Sequence, residues 1–264
     1  MRQVLAIAGT TMGEAIRRRV LLIILMIGLV FLIIAPGLSG LTPRGERQVL
    51  ISLTLGVMKI TAAILAVTLT VYLIPNEIER RTIYTILSKP VQRWQFLVGK
   101  FLGSVAALTL MILLMSVVLI GAFVFYQQTT AWKDLGPIIM SSLMFIFQMS
   151  LLASLAMLFS TFATPVINFF LSGFILVFGT MMNPIFERLG EGGGTAIAAI
   201  LARAAHYVIP NFQNLDVSQG AAVESAQQLR GSELNFITYG VVYSITYIII
   251  VLAIAVLIFD RKEV

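Results

Sequence analysis

Apolar residues gather into six long runs along this chain, at about 20–38, 50–74, 96–126, 138–159, 166–182 and 237–259. Charged and turn-forming residues collect between them. A helix needs about 20 mostly apolar residues to cross a hydrocarbon core of about 30 Å. The runs therefore predict an all-α membrane protein, a single domain over 1–264 with six transmembrane helices. The fifth run is the shortest, bounded by Pro165 on one side and Asn183-Pro184 on the other. Residues 1–19 follow a different pattern. Leu5, Ala8, Met12 and Ile16 recur at helical spacing, while Gln3, Thr10, Thr11, Glu14 and Arg17 face elsewhere. That is the signature of an interfacial helix, lying along the inner leaflet and entering the first span at Arg17-Arg18-Arg19. A cleaved signal peptide fits less well, because the apolar run after Arg19 is too long and no small-x-small site follows it.

Composition sharpens the class. Apolar residues make up 59% of the 264 and charged residues only 11%, against about 25% charged in soluble domains. A soluble enzyme, a disordered chain and a disulfide-stapled module are excluded. With no cysteine and one histidine, His206, neither a thiolate site nor a histidine metal cluster can be built. A net charge of +6 would suggest nucleic acid in a soluble protein. Here it reads as the cationic bias of cytoplasmic loops. With the N-terminus inside, the cytoplasmic pieces hold 11 Lys and Arg and the outer pieces 6, with Lys59 left inside the second span. The expectation is a multi-pass protein of the cell (inner or plasma) membrane with both termini cytoplasmic and no nucleic-acid partner.

The inventory of chemistry is as informative for what it lacks. No Gly-x4-Gly-Lys-[Ser/Thr] phosphate loop occurs, and the run Gly190-Glu191-Gly192-Gly193-Gly194-Thr195 has no lysine, so it reads as a flexible connector. No Asp or Glu falls inside the six spans, whereas ion-driven carriers keep an acidic group at membrane depth. The chain is expected to be no enzyme, to hold no cofactor of its own, and to take its energy from another subunit.

The densest signal lies at 75–95, between the second and third spans. Asn76 can cap a helix with Glu79 as its box partner, and Glu77 precedes Arg80 and Arg81 in the favourable order for helical ion pairs. Ile83, Ile86 and Leu87 make a short apolar patch before Pro90 stops the helix. By its residues alone this is a short, stiff, charged helix, equally readable as a solvated loop helix carrying cytoplasmic charges.

The stretch from Glu77-Ile-Glu-Arg-Arg-Thr-Ile through Leu87-Ser-Lys-Pro-Val to Arg93 and Gly99-Lys100 resembles the hinge of type-2 ABC exporter permeases. These are six-span subunits such as the nitrous-oxide-reductase maturation permease and its gliding-motility relatives. The amphipathic N-terminal helix, Ser160-Thr-Phe-Ala-Thr-Pro165, and the run His206-Tyr-Val-Ile-Pro-Asn-Phe-Gln-Asn-Leu-Asp216 are similar to the family as well. The resemblance implies a dimer of permeases, identical or paired with a homologue, on cytoplasmic ATPase subunits that bind the ATP and Mg. It further implies a coupling helix in which Glu77, Glu79, Arg80, Arg81, Thr82, Ile83, Ile86 and Leu87 seat on the ATPase. A membrane scaffold and an ion-coupled carrier stand as alternatives, and the cargo is open.

Polar positions inside the spans are few. About 15 residues separate Lys59 from the inner end of its span, which places it roughly 8 Å inside the outer boundary of the core. There it can snorkel to the headgroups, pair within the protein, or face a cavity and attract an anionic cargo. Asn168, Thr180 and Asn183 lie on the fifth span, one of the two that line the dimer interface in related permeases. With Lys59 they form the candidate translocation path. Gln148, Ser150 and Ser154 read as interhelical hydrogen bonders, Tyr239, Tyr243 and Tyr247 as a packing stripe, and Gly99 with Gly103 as a site of close helix approach. The 12 methionines are scattered and read as apolar filler. In the outer loop, 183–236, Thr195–Ile209 has a helical pattern and can re-enter the outer leaflet. The polar run Asn211–Gly231 suits contact with a periplasmic accessory protein.

Overall fold

A computed structural model describes residues 2–35, 37, 47–75, 92–127, 132–190, 209–216 and 233–261. These residues form seven helices and no strand: α1 (Arg2–Arg17), α2 (Arg19–Ile34), α3 (Arg47–Val71), α4 (Arg93–Gln127), α5 (Trp132–Ser160), α6 (Pro165–Gly190) and α7 (Glu233–Arg261). Four contain apolar stretches long enough to cross a membrane: Ile51–Val71, Arg93–Tyr126, Ile138–Ser160 and Ile237–Arg261. Helix α2 is shorter: at 1.5 Å per residue its 16 residues span about 24 Å, a little under the hydrocarbon thickness. Helix α6 does not stop at Asn183-Pro184 but runs on to Gly190. The outer loop is shorter than its expected 183–236 by residues 183–190 of α6 and 233–236 of α7.

A single extended residue, Arg18, separates α1 from α2, and its side chain bonds back to Glu14 at 3.0 Å. Helix α1 docks on α4 at the Gly99/Gly103 pair. A Cβ at Gly103 would sit 2.5 Å from the Ala8 carbonyl oxygen, and one at Gly99 would meet Ile7 at 2.9 Å. The docking face overlaps the one the periodicity picks out, sharing Ala8, and Met12 also packs on the core. Val4, Ile7, Ala8, Thr11 and Ala15 turn inward, while Leu5 is exposed. The glycines make a shallow seat that small side chains fit. Thr11 is buried without penalty because its hydroxyl donates to its own helix at the Ile7 carbonyl, 2.8 Å away.

Helix α5 is the axis of the bundle. In its apolar stretch 72% of residues are buried, against 17% in α7, so α5 is walled in by protein and α7 is peripheral. The α5–α6 connection is a turn over Thr161–Thr164 with Pro165 opening α6, where its missing N–H costs nothing. Ser160 Oγ donates to the Val71 carbonyl at 3.4 Å, which brings the end of α5 beside the end of α3. A large apolar core joins α2, α3, α4 and α5, and a smaller one gathers Leu73, Ile74, Phe96, Leu97, Phe101, Met157 and Phe259.

Candidate functional site: a buried clasp and a braced hinge

The clearest polar constellation is built on residues 209–216, a segment that sequence pattern leaves in the outer loop. Pro210 and Asn211 run extended into a single 3-10 turn, Gln213–Leu215. Asn211 Oδ1 caps that turn by accepting from the Gln213 N–H at 3.0 Å. The segment then reaches four helices. Phe212 N–H donates to the Gly179 carbonyl of α6 at 3.2 Å. Its carbonyl accepts from Gln148 Nε2 of α5 at 3.1 Å, and the Asn211 N–H donates to the Tyr243 hydroxyl of α7 at 3.0 Å. Asp216 pairs with Lys59 of α3 through Oδ2 and Nζ. Only a glycine fits at 179, because a Cβ would stand 2.5 Å from the Pro210 oxygen and 2.6 Å from the Phe212 ring. We call this segment the clasp.

Burial makes the ion pair the decisive contact. The Asp216 side chain is 4% exposed and that of Lys59 17%. A carboxylate this deep is tolerable only when paired and hydrogen-bonded. Ser141 Oγ, Gln148 Oε1 and Gln213 Oε1 are buried with no hydrogen-bond partner among the described residues. Phe212 and Leu215 of the clasp join the large apolar core that also holds Phe145 and Leu152 of α5.

The structure separates the candidate path residues. Lys59 pairs within the protein. Asn168 is fully buried and ties α6 to α5, its Nδ2 donating to the Ala156 carbonyl at 2.8 Å while its Oδ1 accepts from Ser172 at 3.0 Å. Thr180 is half-buried and donates to the Val177 carbonyl of its own helix. The backbone of Asn183 continues α6, and its side chain lies outside the described residues. Of the three polar residues on α5, Gln148 reaches across to another element, but Ser150 and Ser154 bond back to Ile146 and Leu151. A serine hydroxyl finds its own i−3 or i−4 carbonyl more easily than a neighbouring helix. The tyrosine stripe does more than pack. Tyr239, Tyr243 and Tyr247 follow one another with ring centroids 6.4 and 5.9 Å apart, and the middle one holds the clasp. Of the polar run Asn211–Gly231, Asn211, Phe212, Leu215 and Asp216 are buried against the helices, and 217–231 lie outside the described residues.

Glu77, Glu79, Arg80, Arg81, Thr82, Ile83, Ile86 and Leu87 lie outside the described residues. Their two flanks do not. Leu73 and Ile74 lead into the segment and Phe96 and Leu97 lead out, and all four share the smaller apolar core with Met157 of α5 and Phe259 of α7. Phe96 stacks on Phe259 at 6.4 Å, and Lys100 lies over the Phe96 ring at 5.7 Å. The start of α4 is capped by its own side chains: the Gln92 N–H donates to Gln95 Oε1 at 3.3 Å, and Trp94 Nε1 to Gln92 Oε1. Arg93 donates to the last carbonyls of α7, Phe259 at 3.3 Å and Asp260 at 3.1 Å.

Two of these roles escaped sequence reasoning. Asp216 was one of several acids in the outer pieces, and nothing in linear spacing selects it for Lys59. Arg93 reads as one more cytoplasmic cation, with no signal that it caps a helix 166 residues away. Comparison with known proteins bears on the whole chain. No curated protein matches it. The sequence model of the family described as ABC-2 family transporter protein matches residues 5–264, so the chain belongs to that family of ABC transporter permeases.

Proposed function

We propose that this chain is the membrane-spanning permease subunit of an ATP-driven exporter, with six crossings, both termini cytoplasmic, and two permease copies, or one copy with a homologue, enclosing the path. ABC-2 permeases are membrane components that are not themselves catalytic, and the family generally works with an ATP-binding subunit. In this reading ATP and Mg are bound by that subunit, and Glu77–Leu87 is the helix it grips.

One observation carries the reading. Both flanks of the 76–91 segment are set in a single apolar core, which also holds the ends of α5 and α7. A displacement applied to the segment is then delivered to α3 and α4 together, because a close-packed interior transmits strain instead of absorbing it. The alternation of helix ends supports the sidedness. The starts of α1 and α4 and the ends of α3, α5 and α7 all lie at this end of the bundle.

Reversing the charges of Glu77, Glu79, Arg80 and Arg81 together tests it. The ATPase recovered with the permease should fall about tenfold, worth about 1.4 kcal/mol of association, or hydrolysis should lose its dependence on the permease. The chain itself should stay folded and inserted. Unchanged complex and activity would overturn the coupling assignment. With no native cysteine, Thr82→Cys and Lys133→Cys report sidedness cleanly: the second should be labelled from outside intact cells and the first should not.

A further inference from the structure

We propose that the corner between α1 and α2 is a binding site for one anionic phospholipid, with its phosphate held by Arg17 and Arg19 and an acyl chain laid along the outer face of α2. The inference needs α1 to lie on the leaflet, but not the coupling of residues 76–91 to an ATPase.

Charge and shape both mark the corner. Over residues 1–34 the charged side chains are Arg2, Glu14, Arg17, Arg18 and Arg19. Glu14 is taken up by Arg18 at 3.0 Å. Arg17 and Arg19 are exposed and make no ion pair among the described residues. Two guanidinium groups are thus left to an outside anion, and their forked donors match a phosphate. Thr10, Gly13, Glu14 and Arg17 recur at i, i+3, i+4 and i+7, so they line one side of α1, and with Arg18 they border a cleft of about 570 Å³. Small-molecule sites run to about 300–1,000 Å³. Gly13 keeps the cleft open, since a Cβ there would meet nothing within 4 Å. The seat on α4 uses a different side of α1, through Val4, Ile7, Ala8 and Thr11.

Helix α2 supplies what an acyl chain needs. Leu21, Leu25, Gly28 and Leu32 are buried on the bundle. Ile23, Met26, Ile27, Val30 and Ile34 are at least half exposed and form an apolar stripe on the other side. Arg19 heads that stripe, four residues before Ile23 and seven before Met26. Side chains on a helix lean toward its N-terminus, so Arg19 reaches to the headgroups while the stripe stays in hydrocarbon. The 16 residues of α2 span about 24 Å, so its first arginine is held at phosphate depth rather than carried past it. A zwitterionic lipid brings its own cation beside these arginines. An anionic one does not, and is therefore preferred.

The full-length chain in nonionic detergent, titrated with dioleoylphosphatidylglycerol or dioleoylphosphatidylcholine, tests this by native mass spectrometry, which counts the lipid each chain retains. One phosphatidylglycerol should be retained at about a tenfold lower concentration than phosphatidylcholine. Arg17→Gln and Arg19→Gln should each weaken that binding about fivefold, the usual weight of one cation at an anionic surface. Gly13→Phe fills the cleft without changing charge and removes a glycine from the helix, and it should weaken binding by a similar factor. Glu14→Gln releases Arg18 to the ligand and should tighten binding about fivefold, so an arginine variant that fails to fold does not leave the question open. Arg2→Gln with Arg261→Gln removes two cations elsewhere and should match the parent. Equal retention of the two lipids overturns the site. So does phosphatidylglycerol binding that ignores Arg17→Gln, Arg19→Gln and Gly13→Phe, or that falls as far in the Arg2/Arg261 pair as at the corner, or that weakens in Glu14→Gln. Soluble glycerol 3-phosphate at the lipid's own concentration should not compete, and displacement by it would make the corner a site for a free anion and overturn the lipid assignment. None of these outcomes touches the permease reading, which stands or falls on the ATPase complex.

Discussion

Two regions of this helix bundle, the apolar base beside residues 76–91 and the clasp at mid-length of the helices, are held by different chemistry. At the hinge base, Leu73, Ile74, Phe96, Leu97 and Phe259 meet in an apolar core. At the clasp, an ion pair, two amide-to-carbonyl bonds and a tyrosine hydroxyl hold residues 211–216 onto four helices. Apolar packing is non-directional and roughly proportional to buried area, so a packed group can be carried as a body without breaking anything. Buried polar contacts are directional and costly when unmade, so they either hold or part. The apolar base can thus be carried as one body, whereas the clasp contacts hold or part.

The contrast is tested most severely at its charged member. Lys59→Met removes the cation paired with the buried Asp216 and should lower stability by about 3–5 kcal/mol, read as thermal unfolding of the protein in lipid nanodiscs. Adding Asp216→Leu should recover most of the loss, because two apolar groups in place of a buried pair are often neutral. If the double variant is as unstable as the single, the pair contributes more than mutual compensation. At the base, Phe96→Ala removes a ring that is buried and stacked on Phe259, and should cost about 3 kcal/mol. Its distinguishing outcome is spatial: maleimide labelling of a single cysteine introduced at Gln213 of the clasp should be unchanged while the apolar base is weakened. A clasp that opens in Phe96→Ala would mean the two regions are not independently held.

These contrasts show why some of the molecule was legible in the sequence and some was not. Helices α3, α4, α5 and α7 follow from apolar runs long enough to leave no other reading. The turn at Thr161–Thr164 follows from Pro165, and the close approach at Gly99 and Gly103 from the spacing of two glycines. The identity of the neighbour that fills that seat did not follow. The periodicity of α1 gives Leu5, Ala8, Met12 and Ile16 as its apolar face; Ala8 and Met12 do turn inward, but Leu5 is exposed and the polar Thr11 is buried, because the seat selects for small size. The clasp was illegible for a deeper reason. Residues 209–216 have the prolines, amides and acid of an exposed loop, and their burial depends on Gln148, Gly179, Tyr243 and Lys59, which are dispersed over 185 positions of chain, from 59 to 243. Polar composition predicts exposure only when no partner is waiting, and partners in space are not spacings in sequence.

Two weaker contacts grade the comparison further. Tyr243→Phe keeps the ring stack on Tyr239 but removes the acceptor of the Asn211 N–H. The cost should be about 1–2 kcal/mol, the penalty of unmatching one buried donor, with a matching increase in clasp labelling. An effect confined to stability would mean that Asn211 finds another acceptor without moving.

The smallest effect is expected where polar chemistry occurs at the otherwise apolar end. Arg93 donates to the carbonyls of Phe259 and Asp260, placing a cation against the negative end of the α7 dipole. Arg93→Gln should cost about 0.5–1 kcal/mol at low ionic strength. The contact is partly open to solvent, so added salt should shrink the difference between parent and variant, as mobile ions screen a charge over about 10 Å at 0.1 M. The ion pair of the clasp is shielded from those ions, and the Lys59→Met deficit should hardly move across the same salt series. A salt-insensitive Arg93 would place it with the buried polar contacts and give the hinge base a directional tie of its own. A salt-sensitive one leaves the base resting on its apolar core, free to travel with α3 and α4.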